Sequence, residues 1–421
     1  MPSNADYLGV QKEEYRKIVP NLMNEGDMVY QLIMTRGDVV KSSTRAVNGP
    51  LRVSPPAAYR ANGFDGQGLG RGTSSIYDRF QITPLGRLLA VETTALQEFA
   101  TDSDQKAVKK AFEAESAYGI EEFRNAIDRE LLTAGNGVEG TVSSVAGNTI
   151  TLTSTPFGAR LLRKTAPYQI YNAALTVNRG SFNVVDVNAR LGQTQTILVD
   201  AVPAGTIATD VVVIAGLSGA NPVGLYGIPY FATNSSVGTV MGISRGNNYM
   251  QANIFNAGNQ ALALGHFRQL WGAVKQAVGV ETAKKQKALR WLMHEAQFAA
   301  YAEIEQAITR IMKQKGAGRE NIDLITDDED GQILGIPVKC HIYQDITRVD
   351  LLNLDTWGRA EWKAVDYYTL KDGTWLFSAY APDGAPESSS LFYFACGIQF
   401  FVDNPLAIGA ITSLAVPTGW V

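Results

Sequence analysis

Residues 105–137 read QKAVKKAFEAESAYGIEEFRNAIDRELLTAGNG, and this stretch decides the fold class. Its apolar side chains recur at steps of three or four, which predicts one amphipathic α-helix over residues 105–133. Asp102-Ser103-Asp104 supplies an N-cap and Gly135 a C-cap. At about 1.5 Å per residue this helix would be roughly 45 Å long, which is unusual within a compact domain. The apolar positions on its buried face are Val108, Phe112, Ile120, Phe123, Ile127 and Leu131.

The segment before this helix has the composition of a loop. Pro50, Pro55 and Pro56 are followed by five glycines within ten residues, and such a stretch cannot build its own core. The β-prone run at 76–83 then restores order. We therefore expect residues 46–95 to leave the body of the protein and to return as paired strands. The glycines are Gly63, Gly66, Gly68, Gly70 and Gly72.

The composition changes at Gly137. Residues 138–216 are β-prone and are broken by turns about every 8–12 residues, a spacing typical of a small sandwich or barrel. Residues 140–152 have the pattern of a hairpin with Gly147-Asn148 as its turn. Because this region follows the long helix without a linker, we interpret it as a module inserted into a larger domain. Further strands are expected at 168–171, 181–187, 194–199 and 210–214.

The rest of the chain mixes helices and strands. We expect residues 217–258, rich in Gly and Asn, to be irregular and residues 260–278 to be helical. Residues 281–315 fit either one long helix or a buried strand at 289–293 followed by a helix at 295–313, and we favour the second alternative. Further strands are expected at 322–326, 333–343, 350–354 and 388–402, the last of them buried.

The composition of the 421 residues excludes several classes of protein. Charged residues make up 19%, below the roughly 25% of an ordinary soluble protein, and 40 residues are Gly. A net charge of −4 provides no overall basic field for nucleic acid. Two cysteines, Cys340 and Cys396, cannot form a disulfide framework, which suits a reducing compartment, although one bond between them is a minor alternative. Neither a signal peptide nor a membrane span is predicted.

The sharpest enzymatic motif is GISRG at residues 242–246, which has the form G-x-S-x-G. In serine hydrolases the two glycines allow a strained strand-to-helix turn to expose the serine, here Ser244. Asp327 and His341 even follow in the order serine, acid, histidine. However, the residues after the motif do not begin an amphipathic helix, and no His-Gly-Gly oxyanion loop precedes it. We therefore keep a serine hydrolase as the less favoured interpretation.

The remaining polar clusters predict no metal or cofactor. Residues 327–330 read DDED and precede a glycine, which favours a solvated hairpin tip over a calcium loop. His266, His294 and His341 lack the spacing of zinc ligands, and His294 is interpreted as a core or strand-end residue. Residues 281–319 carry eight basic and four acidic side chains, for which pairing with acidic neighbours is favoured over phosphate binding. The glycine-rich stretch contains no nucleotide-binding motif.

The order of these elements resembles the major capsid proteins of tailed phages with the Hong Kong 97 fold. Those chains run from an N-terminal arm through an extended loop, a long spine helix and an axial domain to a returning terminal strand. Residues 124–132 (RNAIDRELL) resemble the end of the spine helix. Ser244 stands where that family often has an acid, which further weakens the hydrolase interpretation. The other matching strings are 224–229 (GLYGIP), 242–245 (GISR), 251–253 (QAN), 292–301 (LMHEAQFAAY), 335–337 (GIP) and 351–357 (LLNLDTW).

The resemblance implies an α+β fold of the Hong Kong 97 type that carries a small all-β insertion domain. It also implies that the extended loop contacts neighbouring subunits through Gly63, Gly66, Gly68, Gly70, Arg71 and Gly72. The implied division is an N-terminal arm (1–45), an extended loop (46–95), a peripheral domain with the spine helix (96–137), the inserted β-rich domain (138–217), a connecting peripheral segment (218–258), an axial domain (259–387) and a C-terminal strand that returns to the core (388–421).

The implied function is that of a structural, non-enzymatic major capsid protein. Such a protein is made in the host cytoplasm and self-assembles through pentamers and hexamers into the icosahedral virion shell around a double-stranded DNA genome. The arm is short and lacks the long N-terminal extension that carries a fused scaffolding segment in some relatives, which favours a separate scaffolding protein. A portal is a further expected partner, and decoration proteins are left open. A membrane is not an expected partner. The loop from Pro50 to Phe80 has no lysine, so a cross-link from a loop-tip lysine is not expected. The alternative is an encapsulin-like protein compartment with the same fold.

Overall fold

Strands predominate over helices in the described part of the chain. The computed structural model describes residues 28–36, 38–41, 46–54, 56, 59, 71–94, 111–190, 193–217, 219–280, 288–303, 331–371, 373–380 and 386–420. The helices are α1 (Met28–Arg36), α2 (Ala111–Leu131), α3 (Ile228–Phe231), α4 (Leu264–Val278) and α5 (295–303).

The strands, in chain order, are β1 (Asp38–Lys41), β2 (Val47–Ser54), β3 (Ile76–Ile82), β4 (Leu85–Thr94), β5 (Val138–Ala146), β6 (Thr149–Leu152), β7 (Pro167–Tyr171), β8 (Asn178–Asn188), β9 (Thr196–Val199), β10 (Val211–Ile214), β11 (Thr239–Val240), β12 (Ile243–Ser244), β13 (Asn253–Gln260), β14 (Leu289–Met293), β15 (Gln332–Ile333), β16 (Ile336–Cys340), β17 (Val349–Asn353), β18 (Trp357–Tyr367), β19 (Leu376–Tyr380), β20 (Pro386–Val402) and β21 (Gly409–Leu414).

The chain consists of two compact units. The described part of unit 1 lies within Gly86–Ala126 and Lys363–Gly397, and that of unit 2 within Met28–Leu85, Ile127–Trp362 and Ile398–Val421. In unit 1, β20 pairs antiparallel with β19 and also pairs with β4. A glycine inside a helix costs about 1 kcal/mol relative to alanine, but Gly119 of α2 has a packing role. A Cβ there would lie 2.5 Å from the ring of Phe394, so only glycine lets this ring approach the helix.

A six-stranded sheet forms one hydrophobic core of unit 2. Its order is β13-β21-β17-β14-β16-β15, and β14 runs antiparallel to β17 but parallel to β16. Four of the five β14 residues are buried, as expected for a central strand covered on both faces. The apolar stripe of α4 packs on this sheet, where the ring of Phe267 meets Trp291 edge to face with centroids 4.9 Å apart. In the same unit, β1 pairs parallel with the first residues of β18.

The β-prone region after α2 forms a closed six-stranded barrel in the order β10-β5-β6-β9-β8-β7. In β6 and β9 every second residue is a buried apolar one, and these side chains fill the barrel interior. The hairpin at Gly147-Asn148 and the four further strands predicted from the sequence are confirmed. Two hydrogen bonds join the ends of the barrel segment. The amide of Ile214 donates to the carbonyl of Gly137, and the amide of Gly224 donates to the carbonyl of Gly135.

Several other predictions are confirmed where the structure describes them. The long helix is present as α2, and Gly135 adopts a φ of +78°, the left-handed conformation of a helix C-cap. The excursion returns as the antiparallel pair β2–β3. The favoured split after residue 281 is correct, because β14 is followed by α5. The terminal strand predicted at 388–402 is present as β20.

Two sequence predictions of structure are wrong. Residues 333–343 do not form one strand, because Leu334 and Gly335 take φ values of +56° and +77° and turn the chain between β15 and β16. Residues 217–258 are not wholly irregular, since β13 begins at Asn253. β13 is an edge strand and carries several polar side chains, so a pattern of apolar runs does not predict it. The strand expected at 322–326 and the parts of the predicted helices at 105–110 and 304–313 lie outside the described residues.

Both cysteines, Cys340 and Cys396, are buried, and no disulfide joins them. None of the helices in the described ranges has the length and apolar character needed to cross a bilayer.

Candidate assembly surface

The β2–β3 hairpin has two different faces. The register pairs Gly49 with Phe80 and Pro50 with Arg79, so directly opposed residues share a face and alternate along each strand. One face, the inner face, is half-buried or buried: Val47, Gly49, Leu51, Asp78, Phe80 and Ile82. The other, the outer face, is exposed at every position: Asn48, Pro50, Arg52, Tyr77, Arg79 and Gln81.

Aromatic rings fix the root of the hairpin on its inner face. The ring of Phe80 covers the backbone of Gly49 on the opposite strand, where no Cβ would fit beneath it. Phe80 stacks on Phe401, with ring centroids 6.1 Å apart and planes inclined by 20°. Phe401 in turn covers Gly358, which also has no room for a Cβ. Two rings between two glycines thus hold the hairpin on the core of unit 2.

Hydrogen bonds add to this anchor. The hydroxyl of Tyr249 donates to Oδ2 of Asp78 at 2.8 Å, and the amide of Gln81 donates to the carbonyl of Met241 at 2.8 Å. Desolvation raises the pKa of the Tyr249 hydroxyl, and the hydrogen bond to Asp78 raises it further. Together with the ring stack, these contacts orient the root of the hairpin and leave its outer face uncovered.

The hairpin presents apolar side chains to solvent. Ile76 and Tyr77 are 61% and 63% exposed, and Tyr59 in the connecting loop is fully exposed. Arg71 and Gly72, two of the predicted contact residues, are exposed as well. The other four, Gly63, Gly66, Gly68 and Gly70, lie outside the described residues. Exposed apolar groups beside Arg52 and Arg79 are typical of a surface that another macromolecule covers.

Ser244 does not lie on a strand-to-helix turn. The chain from β11 to β12 forms a tight hairpin in which Met241 and Gly242 take φ values of +51° and +80°. Ser244 ends β12, and its hydroxyl oxygen accepts a hydrogen bond from the amide of Gly246 at 3.2 Å. Two positive φ values are the signature of a type I′ hairpin turn, which explains the glycine of the motif. The strand-to-helix turn that the hydrolase interpretation requires at Ser244 is therefore not present.

The histidines are structural within the described ranges. His294 is buried directly after β14, as predicted, and its Nδ1 accepts from the amide of Ala296 at 3.0 Å. Burial lowers the pKa of His294 to about 3, and the positive charge of Arg160 contributes. His266 packs on the ring of Phe255, and His341 bonds Asp128. No group of three potential metal ligands occurs among the described residues.

The charged segments that the sequence singled out are largely undescribed. The acidic run 327–330 and most of the basic segment 281–319 lie outside the described residues. Arg290, which is described, donates to its neighbouring carbonyl at Leu289. Sequence reasoning missed the anchoring contacts of the hairpin, because each joins residues far apart in the chain; the one available signal was a glycine opposite an aromatic residue in the strand pattern.

No family model and no curated protein matches this sequence. Among solved structures, the cyanophage A-1(L) capsid asymmetric unit is similar with a TM-score of 0.56 and 15% identity, over 98% of this chain and 99% of that chain. The capsid of the native GTA particle aligns over 98% of both chains with a TM-score of 0.48 and 10% identity. The holo-SrpI encapsulin complex from Synechococcus elongatus aligns over 99% of this chain and 96% of that chain, with a TM-score of 0.47 and 8% identity. The likeness to the cyanophage structure concerns the fold, and the chain has the mixed α and β fold of a phage capsid protein, as predicted from the order of its elements.

Proposed function

We propose that this chain is the major capsid protein of a tailed phage, and that many copies assemble into an icosahedral shell around double-stranded DNA. The observation that carries the proposal is the outer face of the β2–β3 hairpin. It combines exposed apolar and cationic side chains on a firmly anchored root, in a chain with a phage capsid fold. The proposal is tested by electron microscopy of the purified chain, which should yield closed shells.

Assembly follows from covering this face. Removing apolar surface from water contributes about 25 cal/mol per Å², so burial of Tyr77 on this face, and of the exposed Ile76 beside it at the start of β3, against a second copy favours association. Arg52 and Arg79 on the same face add electrostatic selection of the partner surface. Each contact is weak, but every subunit repeats it, and multivalency makes a closed assembly stable. Pentamers and hexamers are the proposed intermediate groupings.

The barrel is proposed to be an insertion between two parts of one domain. Its support is the pair of hydrogen bonds from Ile214 to Gly137 and from Gly224 to Gly135, which bring the chain back to the point where it left α2. A module whose two ends meet can be added without separating the elements on either side. The proposed division of the rest of the chain is an arm over 1–45, the loop over 46–95, the peripheral segments 96–137 and 218–258, the axial domain 259–387 and the terminal strand from 388.

The remaining partners belong to the same proposal. A separate scaffolding protein, a portal and decoration proteins would act with the shell in the virion, after synthesis in the host cytoplasm. The DNA is enclosed without sequence-specific binding, which is consistent with a net charge of −4. Comparing purified particles with and without each candidate partner by mass spectrometry tests these assignments.

An encapsulin-like compartment would share this fold, so the content of the shell distinguishes the two functions. DNA that resists nuclease inside purified particles supports the phage capsid. Particles that lack nucleic acid and contain one enzyme support the compartment instead.

The proposed role is geometric and involves no catalysis. A fluorophosphonate probe, which labels activated serines, should leave the chain unlabelled. Labelling that disappears in Ser244→Ala would contradict this part of the proposal, because it would show an activated Ser244.

A further inference from the structure

A buried carboxyl group lies where the barrel joins α2. Glu139 is the second residue of β5, two positions after Gly137, and only 4% of it is exposed. Its Oε2 atom is buried without a hydrogen-bond partner. An ionised carboxylate in such a place is unfavourable, because burial removes the water that would solvate its charge.

Charged and titratable groups face Glu139 from both packed elements. From the last turn of α2 come the guanidinium of Arg129 and the carboxylate of Glu130; the latter also accepts the amide of Leu225 at 2.7 Å. From the barrel come the guanidinium of Arg163 and the hydroxyl of Tyr168. The site therefore contains two positive groups and a second acid around one buried carboxyl.

The same groups hold the barrel to the loop after β16. Arg163 donates to the hydroxyl of Tyr343 at 2.9 Å, and its amide donates to the Tyr168 oxygen at 3.1 Å. Arg160, on the same barrel loop, donates to the carbonyl of Ile342 at 3.3 Å. A change in charge at Glu139 thus acts at a junction of α2, the barrel and the 341–343 loop.

Burial raises the pKa of Glu139 to about 7. The positive charge of Arg129 opposes this shift, and the negative charge of Glu130 adds to it. Burial also raises the pKa of the Tyr168 hydroxyl, which therefore stays protonated at neutral pH. Glu139 accordingly changes its protonation state near neutral pH, whereas a solvated glutamate does so near 4.5.

We propose that Glu139 is a proton-controlled latch between the barrel and the end of α2. A neutral Glu139 keeps the junction closed; loss of its proton to solvent favours an open junction in which the carboxylate reaches water. The sign follows from linkage. The pKa of Glu139 is higher in the closed state than in the open one, so protonation stabilises the closed state. This contribution to the free energy of the closed state is complete below pH 4.5 and is lost as the pH rises to about 7. The proposal does not depend on shell assembly.

Hydrogen exchange on the unassembled full chain tests the latch. The amides of Val138 and Ile214, at the barrel root, report the opening equilibrium once exchange is corrected for the intrinsic effect of pH. The opening constant should rise about tenfold per pH unit between pH 5 and pH 7 and level off above pH 7. A profile that is flat between pH 5 and pH 7 overturns the proposal without any variant.

Variants then assign the effect to one residue. Glu139→Gln, or Glu139→Met if the first variant does not fold, should give an opening constant independent of pH. Asp186→Asn removes an exposed carboxylate from the same barrel and should keep the profile of the unaltered chain. If Glu139→Gln or Glu139→Met retains the rise between pH 5 and pH 7, another group is responsible and the latch is refuted.

Discussion

Nε2 of His341 lies 2.7 Å from Oδ2 of Asp128, and both side chains are buried. The other ring nitrogen of His341 accepts the amide of Tyr343 at 3.1 Å, so Nε2 carries the proton and donates to the carboxylate. The second carboxylate oxygen accepts the amide of Tyr30 at 2.6 Å. Asp128 on α2 therefore joins the first turn of α1 to the loop after β16.

Replacing Asp128 by Asn should destabilise the chain by about 1–3 kcal/mol. An amide has one acceptor oxygen, so it satisfies either Tyr30 or His341 and turns an N–H donor toward the other. Urea denaturation of the full chain measures the change. Asp355→Asn, at an exposed carboxylate, is the control and should shift stability by no more than about 0.5 kcal/mol. Equal effects of the two variants would contradict the assigned contact.

Gly358→Ala should destabilise the hairpin root by about 1–3 kcal/mol, because the new methyl group displaces the ring of Phe401 and, through it, Phe80. Gly86→Ala is the matched control, since its Cβ would enter open space. Denaturation midpoints compare the two. If Gly358→Ala is as stable as Gly86→Ala, the ring stack does not fix the hairpin.

Reversing both charges of the outer face, with Arg52→Glu and Arg79→Glu, should leave the isolated subunit folded but abolish shell formation. Even about 1 kcal/mol per exposed charge pair is multiplied over the many contacts of a shell. Sedimentation velocity separates shells from subunits. Lys164→Glu reverses one charge on the barrel, where the reversal should permit assembly. Normal shells from the double variant would show that the outer face is not an interface.

The buried ion pair of the barrel should contribute more to folding stability than the exposed one. Arg179 donates two hydrogen bonds to the carboxylate of Asp210, at 2.7 and 3.2 Å, and Asp210 also accepts a hydrogen bond from the amide of Ile207. Asp210→Ala should therefore cost about 3–5 kcal/mol. The exposed Lys164–Asp186 pair spans 3.7 Å, and Asp186→Ala should cost at most about 1 kcal/mol. Thermal denaturation of both variants measures this difference, and similar losses would contradict the account.

Local patterns in the sequence predict individual helices and strands. The spacing of Phe123, Ile127 and Leu131 predicts α2, and turns at regular intervals predict the barrel strands, because both signals lie within a few residues. The sequence pattern did not predict the two-residue turn at Leu334-Gly335. Apolar residues continue on either side of it, and Leu rarely adopts a positive φ.

Long-range contacts leave no such pattern. Asp128 and His341 are 213 positions apart, and neither position differs from an ordinary surface residue in sequence. The pairing of Gly358 with Phe401 depends on two strands meeting in space, so the need for glycine is visible only in the fold. The contact role of the loop, which the resemblance implies, stays a prediction, whereas the anchored root and the two faces of the hairpin become visible only in the structure.

Electron microscopy of the purified full chain, across a range of ionic strengths and concentrations, shows whether this chain builds a shell. We expect closed icosahedral shells, built from many copies whose β2–β3 hairpins are covered by neighbouring subunits. Monomers or dimers under every condition would contradict it.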